Sequence, residues 1–244
     1  MAKVTGEPVA TLLHLDSSAN RSSESVSRQL TALFAGTWQA IHGSAGYRYR
    51  DLTADPVPPL STAYCVLGRR VERHGLVPPD RVAGLAKSPA EQQEWALTCL
   101  LITELLAAET VLIGAPMYNY SVPAALKAWI DRVSFPGAFI DPHTGQSLLR
   151  DTKVVVIIAQ GGAYGAGSPR EGWDFQTPYL RTYFGKHGVA EGNVCFVSAE
   201  MTKAGLVPHL ARFRPLAASS LAAARAEVTA LATAITCSTS SEIA

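Results

Sequence analysis

Three short stretches of this 244-residue chain carry residues able to do chemistry. The first is SSANRSSES (17–25), which follows the apolar run VATLLHLD (9–16) and leads into a helical pattern. Ser17, Ser23 and Ser25 put hydroxyls where a helix N-terminus gathers free N–H groups and the positive end of its dipole, an arrangement suited to an anion. Neither GxxxxGK[ST] nor GxGxxG occurs, so a phosphate monoester fits better than a nucleoside triphosphate or a dinucleotide. Serines ahead of a helix also serve simply as caps. The second stretch is PMYNY (116–120), at the end of the apolar run TVLIGA. Met117, Tyr118 and Tyr120 can pack on a planar ring while the backbone offers amides to its edge; the two tyrosines equally suit a core. The third is AQGGAYGAG (159–167), where Gly161 and Gly162 allow close approach of backbone to a ligand. A flexible loop is the plain alternative there.

These stretches must be held by a scaffold, and the hydropathy pattern supplies one. Apolar runs read as strands at 9–16, 110–115, 153–160 and 193–200, and YRYRDL (47–52) alternates as a strand does. Between them, apolar residues recur at helical spacing from Glu24 to about Ile41, and again after Ser88, 122–134, 177–188 and about 217–236. Ser88-Pro89-Ala90-Glu91 reads as a cap, a first-turn proline and a capping box. Residues 60–87 hold charges, glycines and prolines, and read as a loop or short helices covering a site, or as a surface excursion; 238–244 reads as a frayed tail. Strictly alternating strands and helices imply a single α/β domain: a five-stranded parallel sheet of order 2-1-3-4-5, helices on both faces, and ligands at the carboxyl ends of strands 1, 3 and 4. His14 falls inside the first strand and is expected to pack in the core.

Composition removes other classes. Lys plus Arg is 21 against 20 Asp plus Glu, a net charge of +1, which gives no electrostatic footprint for nucleic acid or an anionic membrane. No apolar run approaches the roughly 20 residues a membrane span needs. Cys65, Cys99, Cys195 and Cys237 form no CxxC and have no histidine at ligand spacing, so no metal is expected and the thiols should be free and buried, as in a reducing cytoplasm. No GxSxG elbow supports a serine hydrolase.

The serine loop, PMYNY, the following LKAWID (126–131) and GGAY (161–164) together resemble the FMN-dependent NADH-azoreductase, or quinone reductase, family. The resemblance spans roughly residues 9–235. It implies a flavodoxin-like fold, tightly but non-covalently bound FMN, NADH or NADPH as co-substrate, a small aromatic electron acceptor, and a homodimer with the site at the subunit interface. Ser17, Ser23 and Ser25, with the Glu24 amide, would then hold the FMN phosphate. Pro116, Met117, Tyr118, Asn119 and Tyr120 would line the flavin ring, and Ala159, Gln160, Gly161, Gly162 and Tyr164 would border its pyrimidine end. Protons would come from water, Tyr120 or His187. The chain departs from the family's pattern at Ala159-Gln160, at FGKHG (184–188), where Lys186 and His187 stand, and at GAFIDPHTG (137–145), all but the first on the acceptor side.

Overall fold

The computed structural model describes residues 10–238. Five parallel strands are ordered β2-β1-β3-β4-β5: β1 Leu12–Asp16, β2 Tyr47–Asp51, β3 Thr110–Pro116, β4 Lys153–Ala159 and β5 Val194–Ala199. This is the order expected from the alternation of elements. Helices α1 (Val26–His42), α2 (Thr62–Arg73), α3 (Pro79–Val82), α4 (Pro89–Leu106), α5 (Ala124–Val133), α6 (Gln176–Lys186) and α7 (Arg214–Ser238) flank the sheet.

Strand alternation divides the core into two layers. Leu12, Leu112, Val155, Ile157 and Val197 meet α1 and α7 through Phe34, Trp38 and Val228. Leu13, Val111, Ile113, Val154 and Val156 meet the other helices through Leu101, Trp129 and Phe184. Both layers consist of side chains almost wholly removed from water. Helix α4 starts as expected: Ser88 caps the Glu91 N–H at 3.2 Å, with Pro89 in the first turn. The reciprocal half differs from a capping box, because the Glu91 carboxylate accepts from the Lys87 N–H (2.7 Å) and is gripped by Arg70 of α2.

That grip belongs to the segment 60–87, which forms α2, α3 and a 3-10 turn at Ala83–Leu85. Tyr64, Leu67, Val71 and Val82 bury themselves in the core layer shared with α4. Arg132, fully buried on α5, ties the segment's start down by donating to the carbonyls of Pro58 (3.0 Å) and Pro59 (3.1 Å) and by pairing with Glu94. Of the expected tail 238–244, only Ser238 lies among the described residues, as the last residue of α7. Cys65, Cys99 and Cys195 are free as expected, but none is buried: Cys65 is exposed, and Cys195 and Cys99 are half-buried, Cys99 packing against the core from α4. Among the described residues no helix is long and apolar enough to cross a membrane, and no cluster of side chains suits a metal ion.

Candidate active site

The carboxyl ends of β1, β3 and β4 bring the three stretches together. Ser17 leaves β1 with its N–H (3.1 Å) and Oγ (2.7 Å) both donating to the Gly114 carbonyl of β3. The Met117 N–H donates to the Ala159 carbonyl of β4 at 2.9 Å. Between the two loops, the Ala19 N–H donates to the Tyr118 hydroxyl at 3.1 Å.

In the serine loop the hydroxyls divide. That of Ser17 is committed to Gly114, whereas those of Ser18, Ser25 and Ser27 cluster at the start of α1: Ser25 Oγ donates to Ser18 Oγ (2.9 Å) and lies 3.2 Å from Ser27 Oγ. All three are buried. Ser25 is the N-cap of α1, accepting from the Arg28 N–H. Ser23 and Glu24 are exposed at the rim, and the Glu24 and Ser25 N–H groups both turn back to the Arg21 carbonyl at 3.0 Å.

Beneath the loop lies a buried charge network. Arg28 donates to the Ser18 carbonyl through Nη2 (2.7 Å), to both oxygens of Asp51 (2.8 Å each) and to Thr53 Oγ1 (3.0 Å). Tyr49 donates to Asp16 at 3.1 Å and Thr31 donates to its other oxygen at 2.9 Å. Gly114 makes room for this carboxylate, since a Cβ there would fall 2.3 Å from Asp16 Oδ1. The Arg28 guanidinium holds the Asp51 carboxyl far below its ordinary value, and burial beside Asp16 pushes the Tyr49 phenol well up. With two carboxylates around one guanidinium, the network offers no surplus positive charge. Its effect on an anion is to fix the Ser18 carbonyl, and with it the orientation of the hydroxyls. His14 is buried as expected, its Nδ1 2.8 Å from the Tyr47 hydroxyl.

The MYNY segment is a turn of unusual strain. Tyr118 and Ser121 exchange both backbone hydrogen bonds (3.0 and 3.1 Å), and the two residues between them are left-handed, Asn119 at φ 49° and Tyr120 at φ 70°. That is the type I′ pattern, which asparagine tolerates and tyrosine resists. The strain aims Tyr120 into an exposed aromatic group, edge-on to Trp173 (centroids 5.6 Å apart) and Tyr164 (6.3 Å). The Phe175 N–H donates to the Tyr120 carbonyl at 3.1 Å, so the 163–175 loop is laced to the turn.

On β4, Gln160 is buried and its side chain donates to Asp174 Oδ2 at 3.3 Å. Asp174 also accepts from the Gln176 and Thr177 N–H groups, which caps α6. Gly161 is half-buried and Gly162 buried, because the loop after β5 and the Arg170 and Tyr164 side chains fold over them. His187 is not brought to this place. Helix α6 begins beside β3, where Gln176 Nε2 donates to the Ala115 carbonyl, and runs 11 residues away, roughly 15 Å. At its far end the His187 ring packs on Phe139 (5.0 Å) and Tyr183 (4.7 Å), and burial, aided by Lys186, lowers its pKa. A separate hollow lies at the opposite end of the sheet, lined by Thr11, Gly46 and Glu104 among others; there Glu104 is already paired with Arg48 and Arg50.

Comparison with known proteins agrees with this architecture. Residues 10–214 match a family model described as a flavodoxin-like fold. The chain is 42% identical over 204 residues to a protein from Nocardia farcinica named FMN-dependent NADH:quinone oxidoreductase, covering 84% of this chain and 89% of that one. It is 40% identical to a protein of the same name from Kineococcus radiotolerans, covering 91% and 97%. The chain belongs to the FMN-dependent NADH:quinone oxidoreductase family, with a flavodoxin-like fold. In backbone it is similar to an azoreductase from Bacillus anthracis strain Sterne (TM-score 0.73, 19% identity, 91% and 98% covered). It is also similar to an FMN-dependent NADH-azoreductase from Bacillus anthracis strain Ames Ancestor, solved in complex with FMN (TM-score 0.72, 19% identity, 93% and 99% covered).

Four residues of the site escape a reading of the sequence by motif. Ser18 is hidden by its neighbour, since nothing local says which of two adjacent hydroxyls will turn toward the start of α1 and which toward β3. Arg28 reads as an ordinary helix residue until β2 brings Asp51 against it. Trp173, edge-on to Tyr120, and Lys203, whose stem lies over Gly161, sit in loops without a periodic pattern. In this family member, then, motif residues mark the cleft and non-motif residues build its walls.

Proposed function

We propose that the chain is an FMN-dependent oxidoreductase that passes electrons from NADH or NADPH to quinone or azo-type aromatic acceptors by a two-electron, ping-pong route. One observation carries this reading: a cluster of buried hydroxyls at a helix N-terminus, a strained aromatic turn and a bare glycine pair are laced together at one end of a flavodoxin-like sheet. The residues fit an anionic cofactor edge. A Cβ on Gly161 would fall 2.9 Å from Lys203 Cδ and one on Gly162 2.7 Å from Arg170 Nη1, so the glycine pair lets two cationic side chains lie against the backbone at this edge.

Bound FMN would supply hydride acceptance from the nicotinamide and electron delivery to the acceptor. The chain's own part is position and electrostatics. Ser18 and Ser25, with the first amides of α1, grip the phosphate; Ser23 and the Glu24 segment close its rim, and Ser17 locks the loop to β3. The Arg28 network keeps those hydroxyls oriented without adding net charge. The turn from Pro116 to Tyr120 aligns its backbone with one ring edge, and Gly161, Gly162 and Tyr164 border the other, with Ala159 and Gln160 supporting them from β4. Tyr120, Tyr164 and Trp173 offer the acceptor an aromatic wall. The Tyr120 hydroxyl and solvent at this open face supply protons. A homodimer with the site at its interface accords with the family resemblance. His187 would serve only across such an interface, because within one chain it stands at the far end of α6. Free thiols at Cys65, Cys99 and Cys195 accord with a reducing cytoplasm.

The test is anaerobic mixing of FMN-loaded protein with NADH, followed by a quinone. Rapid loss of the yellow flavin absorbance and its recovery with quinone are expected. A protein that stays colourless with excess FMN, or whose bound flavin NADH leaves oxidised, would overturn the proposal.

A further inference from the structure

The loop after β5 is pinned to the glycine pair with more care than a connector needs. The Met201 N–H donates to the Gly162 carbonyl at 3.1 Å, and both the N–H and Oγ1 of Thr202 donate to the Gln160 carbonyl at 3.0 Å. Met201 is left-handed at φ 56°, a strained backbone for that residue. The outcome of this construction is Lys203. Its Cγ, Cδ and Cε lie over Gly161, 2.9–3.1 Å from where a Cβ would be. Arg170 arrives from the other side, stacked over the Tyr164 ring (5.8 Å to the centroid) with Nη1 against Gly162. Neither cation makes a salt bridge among the described residues. Glu200, the nearby carboxylate, is occupied by the Tyr164 and Gly165 N–H groups at 3.0 and 3.3 Å.

Two cations without a carboxylate partner among the described residues therefore converge on the glycine pair, Arg170 also donating to the Tyr164 hydroxyl at 3.3 Å. Two-electron reduction of a flavin leaves negative charge in its pyrimidine ring, and a positive charge held at that ring favours the reduced form. We infer that Lys203, flanked by Arg170, is a positioning residue that holds a positive charge at the flavin's pyrimidine edge and tilts bound FMN toward its reduced state. This rests on the FMN reading above and deepens it. The stem on Gly161 sets the ammonium's reach, and the Met201–Thr202 anchor sets its direction.

The experiment is a potentiometric titration of FMN bound to the wild type, Lys203→Met and Lys203→Arg, with oxidised-FMN affinity measured alongside by fluorescence quenching. Lys203→Met keeps the stem and the fold. It should lower the preference for reduced over oxidised FMN about tenfold, a fall of about 30 mV for a two-electron couple. Oxidised-FMN affinity should change less than about threefold, and Lys203→Arg should restore most of the preference. An unchanged midpoint in Lys203→Met, with FMN bound normally, overturns the Lys203 inference and leaves the functional reading standing. A wild type that binds no FMN overturns both.

Discussion

Beneath the serine loop Arg28, Asp16 and Asp51 are paired and largely removed from water: Arg28 meets Asp51 through two bonds of 2.8 Å, Asp16 takes Tyr49 and Thr31, and Gly114 is shaped to admit the carboxylate. Around the glycine pair the opposite holds. Lys203 and Arg170 are exposed and have no carboxylate partner among the described residues, Trp173 and Tyr120 stand half in solvent, and the backbone is strained at Tyr120 and Met201. The first region resembles a core that happens to present hydroxyls. The second resembles a rim stressed into place, where charge and aromatic surface are available to something not of the chain. A phosphate common to every turnover needs a fixed seat, whereas changing electron count and varied acceptors need adjustable charge and open rings.

The comparison breaks most visibly at Arg28. Arg28→Met would strand Asp51 and Asp16 without their guanidinium, at a cost of about 3–5 kcal/mol in urea unfolding, while the matching truncation on the rim, Lys203→Met, should shift stability by under about 0.5 kcal/mol. Equal losses at both positions would erase the distinction. Acid should attack the same seat. The Asp51 pKa is depressed in the folded protein, so its contribution is complete above the ordinary value of 3.8 and is lost as pH falls from there through the folded value. An acid transition that begins below pH 3.8 and moves upward in Arg28→Met is expected.

A smaller effect probes strain at the rim. Tyr120→Val forces a β-branched residue into φ 70° and should cost roughly 1–2 kcal/mol, whereas Tyr120→Gly should stay within about 1 kcal/mol of wild type yet slow acceptor reduction. The smallest concerns His187, whose folded pKa lies below the ordinary 6.5. Its contribution is full above that value and lost as pH falls through the folded one, so urea midpoints should drop slightly between about pH 7.5 and about pH 5.5, and His187→Gln should flatten the drop. Because His187 packs on Phe139 and Tyr183 away from the cleft, the pH profile of turnover should not follow it within one chain.

How much of this was legible beforehand follows the range of the interactions. The sheet order, the start of α4 at Ser88 and Pro89, and the burial of His14 rest on periodicity and capping, which are local. The convergence of the serine loop, PMYNY and the glycine pair could be anticipated because strand ends in such a sheet share one edge. What could not be anticipated depends on contacts between distant residues. Arg28 and Asp51 are 23 positions apart, and the choice of Ser18 over Ser17 is made by the Gly114 carbonyl, 97 positions from Ser17. In segment 60–87 the apolar positions Tyr64, Leu67 and Val71 of α2 are masked by the surrounding charges, glycines and prolines, and the helix is tied to its neighbours by Glu91, which grips Arg70, and by the Arg132 carbonyl, which accepts from Tyr64. The thiols were expected to be buried from residue type alone, and Cys65 falls on the outer face of α2 instead.

The central claim is a phosphate seat built into a flavin cleft, and titrating the protein with FMN and with riboflavin, which lacks the phosphate, tests it most directly. Quenching of FMN fluorescence at one per chain is predicted, with riboflavin at least about a hundredfold weaker and a Ser18→Ala, Ser25→Ala double variant losing most of that discrimination, at ~1.5–3 kcal/mol for each charge-assisted bond. Equal binding of the two flavins by the wild type, or no quenching by either, would contradict it.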